Sequence, residues 1–135
     1  MDQTIRDMIA GQMNKAAEKL AAAKSLAKEG FFDDAISRAY YSMFHAAAAV
    51  LLTEGITVNS HSALKSMFGL HIVKTGKLDK HFGKMLNKIK DERENGDYDI
   101  FTFFEDEDAK KDIKEAENFL NRMKKYLKDN HGIKI

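Results

Sequence analysis

The run Ile36-Ser-Arg-Ala-Tyr-Tyr-Ser-Met-Phe-His-Ala-Ala-Ala-Ala-Val-Leu-Leu52 decides the fold. Read as a helix it is apolar around nearly its whole circumference, and a helix of that kind is one buried by its neighbours. It nevertheless carries Arg38, Tyr41 and His45, whose spacings of three, four and seven residues place them on one stripe. Burying an arginine and a histidine costs free energy unless they are paired, wetted or used. The run therefore predicts a central helix with a polar stripe.

The flanking sequence supplies the elements that would bury it. Ile9, Met13, Ala16, Leu20, Ala23 and Ala27 recur at steps of four and three, predicting a helix over 3–28 that Gly30 stops. The central helix starts near Asp33 or Asp34, either a possible cap, and ends at Gly55. Ser60 caps a short third helix reaching about Val73, and a fourth runs from about Asp79 to Glu94, burying Phe82, Met85, Leu86 and Ile89. Asn95-Gly-Asp-Tyr-Asp99 reads as a turn, and Ile100-Phe-Thr-Phe-Phe104 as a packed connector, since a lone strand has nothing to pair with. The acidic run Glu105-Asp-Glu-Asp108 suits the positive end of a fifth helix with the stripe Ile113, Ala116, Leu120, Met123 and Leu127. The expected fold class is all-α, an up-and-down bundle of about five helices in one domain, 1–135, with an ordered core over about 5–128.

Composition narrows the function classes. There is no cysteine, which excludes disulfides and thiolate metal sites and fits a cytoplasmic protein, and there is no proline, which favours helix. No 18-residue stretch is free of charge, so no membrane span is expected, and the polar start Met-Asp-Gln-Thr-Ile-Arg-Asp7 is unlike a secretory signal. The formal net charge of +1 hides an asymmetry: His61–Lys90 carries +6 and Asp91–Asp108 carries −8. Blocks of this size can pair within the fold, pair across a dimer, or present a polyanion-binding face beside an acidic wall. No two histidines show metal-ligand spacing and no glycine-rich phosphate loop is present, so neither metal nor cofactor is expected.

Three segments, Ser37-Arg-Ala-Tyr-Tyr-Ser-Met-Phe-His-Ala-Ala47, Asn59-Ser-His-Ser-Ala-Leu-Lys-Ser-Met-Phe-Gly-Leu-His71 and Arg93-Glu-Asn-Gly-Asp-Tyr-Asp99, together with the amphipathic last helix, resemble the HEPN family of small helical domains. The resemblance spans about residues 10–128 and is to the stand-alone branch. It implies a dimerising four-to-five-helix fold and two themes. In one, an Arg and a His with four to six residues between them form a metal-independent endoribonuclease site at the dimer seam, often in a toxin. In the other, the domain is partnered and neutralised by a minimal nucleotidyltransferase, in some cases through modification of a tyrosine beside the motif. The family's motif sits before the last long helix; here Arg93 stands at that place, but Glu, Asn, Gly, Asp97 and Tyr98 follow it and no histidine does.

Metal-free RNA cleavage needs a base, an acid and a cation on the phosphorane, roles suited to histidine and arginine. Arg93, His45 and Arg38 are the catalytic candidates, and Arg93, Asp97, Tyr98, Tyr41 and Lys90 the candidate nucleotide- or RNA-binding residues. Arg38 can equally pair with Asp97 or Asp99 and lock the central helix to the turn. The reading preferred from sequence is a HEPN-like nucleotide- or RNA-engaging homodimer, one half of a toxin–antitoxin or nucleotidyltransferase pair, with a degenerate motif. The alternative is an active metal-independent endoribonuclease toxin using Arg93 with Arg38 and His45.

Overall fold

The computed structural model describes residues 1–135, and every regular element is helical. The elements are α1 (Gln3–Lys28), α2 (Phe32–Leu52), α3 (His61–Phe68) continued by one π-helical turn (Gly69–Val73), α4 (Lys80–Tyr98) and α5 (Asp106–His131). The all-α bundle anticipated from periodicity is the fold observed. No helix is long and apolar enough to cross a membrane.

Helix α2 is the axis of the bundle. It packs against α1, α4 and α5, with α3 touching it from the side. Thirteen of its residues are buried, including Ala46 through Leu52 without a break. A helix enclosed on so many sides needs small side chains where its neighbours approach, and the four alanines at 46–49 provide them. Its fully buried serine, Ser42, donates to the carbonyl of Ala16 at 2.8 Å and ties α2 to α1.

The caps follow the sequence. Asp2 accepts from the Ile5 amide, Ser60 from Ala63 and Asp79 from His81. The Asp108 carboxylate reaches back to the Glu105 amide at 2.9 Å, so the acidic run both caps α5 and opposes its dipole. Helix α5 continues to His131 and ends at Gly132 in the left-handed conformation, φ 64°, with Ile133 folded back into the core. The two charge blocks meet in one pair, Lys90 with Glu94 at 3.0 Å, while Lys88 reaches Glu115 and Lys77 reaches Glu54, acids outside the acidic block. Such half-exposed pairs each contribute only about 0–1 kcal/mol.

Three expectations need correction. The central helix starts at Phe32 rather than after an Asp33 or Asp34 cap; both aspartates lie in its first turn, and Asp33 accepts instead from the Phe104 amide at 3.2 Å. The turn at 95–99 is helix: α4 runs through Gly96 to Tyr98 because Arg93 and Asp97 pair across one turn and Gly96 lies beneath the Phe104 ring. The connector 100–104 is packed only at Phe104; Ile100, Phe101 and Phe103 stand in solvent. Asp99 shapes it, accepting from the Phe101 amide and the Thr102 hydroxyl at 2.9 and 2.8 Å, so the backbone turns without needing those side chains in the core.

Gly96 gives a test of this packing. A β-carbon there would lie 2.9 Å from Phe104 Cε2, whereas one on Gly11 in α1 meets nothing within 4 Å. In urea titrations Gly11→Ala is expected to stabilise by about 1 kcal/mol from helix propensity. Gly96→Ala is expected to destabilise by about 1 kcal/mol, because overpacking outweighs the same gain.

Candidate functional site

The candidate site forms where α4 crosses the first half of α2 and the start of α3. Arg93 lies on the inner face of α4, two residues inside the acidic block, with only 6% of its surface exposed. Its guanidinium sits 5.5 Å from the centre of the Tyr40 ring and 5.4 Å from that of Tyr41. It donates to the Tyr41 hydroxyl at 3.1 Å and pairs with Asp97 at 3.5 Å. Asp97 Oδ2 is also 3.5 Å from the Ser37 hydroxyl on α2. Nε of Arg93 is buried and has no partner. A desolvated arginine against two aromatic faces is strongly held, since cation–π attraction grows to about 2 kcal/mol or more when water is excluded.

His61 completes the cluster. As the first residue of α3, positioned by the Ser60 cap, it sets Nδ1 2.6 Å from the Tyr40 hydroxyl. Its ring packs 5.2–5.9 Å from Tyr40, Phe44 and Tyr41. Burial, with Arg93 and Lys90 nearby, holds its pKa below the usual histidine value, and burial pushes the Tyr40 hydroxyl well above the usual tyrosine range. At neutral pH the pair is therefore a neutral imidazole beside a protonated phenol. His61 is only half-buried, so an imidazole able to exchange a proton is open to solvent beside a fixed cation.

The other candidates are placed elsewhere. Arg38 is exposed, and His45 bonds Gln12 on α1 at 2.7 Å, in a shallow groove with Met8, Gly11 and Lys15. Neither is a hydrogen-bond or ring partner of Arg93. The reason is angular: at 3.6 residues per turn Tyr41 lies about 60° from Arg38 around α2, enough to turn it toward α4 while Arg38 faces water. Burial, Lys15 and Lys19 lower the His45 pKa. Tyr98 is exposed, and Lys90 is engaged by Glu94.

His61, Tyr40 and Ser37 were not singled out by sequence. The one signal available was that a tyrosine on a fully buried helix needs a partner for its hydroxyl. Nothing local says which histidine provides it.

Comparison with known proteins bears on this cluster. The HEPN domain family matches residues 11–126, a span that includes Tyr40, His61 and Arg93. The chain belongs to the HEPN family. Among its relatives is a UPF0332 protein of Thermotoga maritima, 37% identical over 115 residues, which cover 85% of this chain and 87% of the relative. A Methanocaldococcus jannaschii protein named "Putative toxin MJ0605" is 37% identical over 129 residues, 96% of each chain. A second from that organism, "Putative toxin MJ0142", is 36% identical over 115 residues, 85% of this chain and 78% of the relative. Within this HEPN domain, Arg93 is anchored by two tyrosines from α2, and the histidine bonded to Tyr40 comes from α3.

Proposed function

We propose that this HEPN domain is the toxin half of a toxin–antitoxin pair, a homodimer that engages RNA or nucleotide at the Arg93 cluster and is held in check by a partner such as a minimal nucleotidyltransferase. The observation that carries the reading is the Arg93–Tyr41–Tyr40–His61 constellation. Arg93 holds the place before the last long helix that the resemblance gives to the family's arginine, and relatives matching most of the chain bear toxin names. Arg93 is too buried to lie wholly against a phosphate; it fixes the tyrosines and biases the cluster positively, while His61 and the edge of Tyr41 meet the ligand.

Ribonuclease activity is a second reading, favoured by the half-buried His61 beside Arg93. Here His61 takes the place that the sequence offered to His45. The two readings separate in one experiment with fluorescently labelled tRNA and mRNA in EDTA. His61→Ala is expected to weaken RNA binding by about tenfold, the effect of losing one charge-assisted contact, while His45→Ala leaves it unchanged. Cleavage by the parent chain that His61→Ala abolishes establishes the nuclease. Binding without cleavage leaves an RNA-engaging module. No RNA binding by folded protein overturns both.

A further inference from the structure

Beside the Arg93 cluster the surface changes character. Ile100, Phe101 and Phe103 are 78%, 84% and 81% exposed, and Tyr98 and Phe31 project nearby. A single exposed apolar side chain is ordinary, but a ridge of several marks an interaction surface. Between Phe31 and Phe103 opens a cleft of about 480 Å³ whose walls carry Asp33, Asp34 and Asp97. From Asp97 to Asp108 there are six acidic residues and no basic one.

The charge decides among occupants. Aromatic ridges can stack nucleobases, but phosphates brought to this one would face Asp33, Asp34 and Asp97, of which only Asp97 has a cationic partner. A second copy docked through the same ridge about a two-fold axis would set the acidic block against itself. Docked instead through its lysine-rich 61–90 face, a second copy would make a head-to-tail contact, which builds rings or filaments rather than a two-fold dimer. A cationic protein segment meets none of these objections. Its lysine or arginine would find three aspartates in the cleft and the ring faces of Phe31 and Phe103 at its mouth, while neighbouring apolar side chains cover Ile100 and Phe101.

We infer that this acid-walled aromatic cleft is the docking site for a segment of a partner protein bearing arginine or lysine beside aliphatic side chains. Identifying that partner as the antitoxin rests on the toxin–antitoxin reading above; the surface chemistry does not. Asp97 belongs to both sites, as a wall of the cleft and as the carboxylate paired with Arg93. A cation seated in the cleft competes for Asp97, so docking loosens the anchor of the Arg93 cluster.

The test uses the full chain and fluorescein-labelled twelve-residue peptides: one alternating arginine and leucine, one with glutamate for arginine, one with serine for leucine. Anisotropy is expected to show binding of the arginine–leucine peptide only. Affinity should fall at least tenfold in Phe101→Ser/Phe103→Ser and in Asp34→Asn, and decline as salt rises. These side chains are exposed, so the variants keep the fold. Equal affinity in parent and variants overturns the inference. So does conversion of a dimer to monomer by the phenylalanine changes in sedimentation, or loss of tRNA binding in the same variant. Peptide binding together with failure of the RNA experiment above removes the toxin reading and leaves the docking cleft standing.

Discussion

Arg93→Ala is expected to lower the unfolding free energy by about 3 kcal/mol, the lower end of the cost of removing one member of a buried charge pair. The lower end applies because the contact with Asp97 is long, 3.5 Å, and the Asp97 side chain keeps 24% of its surface in water. Other losses add to it: the Tyr41 hydroxyl loses its donor, and the space between two tyrosine rings empties. Arg93→Lys should recover part of the loss, keeping the charge but not the planar stack. Tyr41→Phe should cost about 1 kcal/mol, one ordinary hydrogen bond. Urea titration monitored by circular dichroism checks all three. A cost for Arg93→Ala below about 0.5 kcal/mol, the range of surface substitutions, would show that the arginine is a free phosphate clamp rather than an anchor.

The second large effect is a pH dependence centred on Asp112. This residue on α5 is 1% exposed, and its Oδ2 has no partner apart from the facing acids. Burial first, then Glu92 on α4 and Glu115 one turn along α5, raise its pKa to about 8, with Lys88 opposing. The folded chain thus holds a proton, shared toward Glu92, that the unfolded chain releases near pH 4. Because the folded pKa is the higher one, the stabilisation is complete below about pH 4 and is lost as pH rises toward 8. Between these limits the slope is at most about 1.4 kcal/mol per pH unit. His45 and His61, with lowered pKa values, act in the opposite sense below the ordinary histidine pKa. The comparison with Asp112→Asn removes their contribution. That variant supplies a permanent donor to Glu92 and should be more stable than the parent at pH 8 by about 2 kcal/mol, the scale of a buried unsatisfied polar group. It should show little advantage at pH 5. Equal urea midpoints for the two proteins at both pH values would refute the shared proton.

Both predictions depend on groups whose importance was unevenly legible. Arg93 could be singled out through the family resemblance, which sets an arginine before the last long helix, a place in the order of elements that depends on no contact. Its burial could not, because Asn-Gly-Asp has the composition of a turn, and the Arg93–Asp97 pair and the packing of Phe104 over Gly96 keep those residues helical. Asp112 gave no signal, since a charged residue on an amphipathic helix ordinarily faces water. The connector aromatics misled in the other direction: an apolar run suggests burial, and these point outward because Asp99 and Asp33 fix the backbone by themselves.

Local spacing was sufficient for the all-α class, the five helices and most of their ends. Helical period, caps and glycine stops act over a few residues and need no knowledge of the remainder. The buried character of α2 was legible for the same reason, since a helix apolar on all sides has no face to give to water. Which side chains share a site was decided at longer range. Tyr40 meets His61 across 21 residues and Arg93 meets Tyr41 across 52. Arg38, His45 and Tyr41 occupy one stripe in projection, yet about 60° of rotation divides solvent from site. That division is set by where α1 and α4 lie against α2, a product of the whole core that no window of sequence contains.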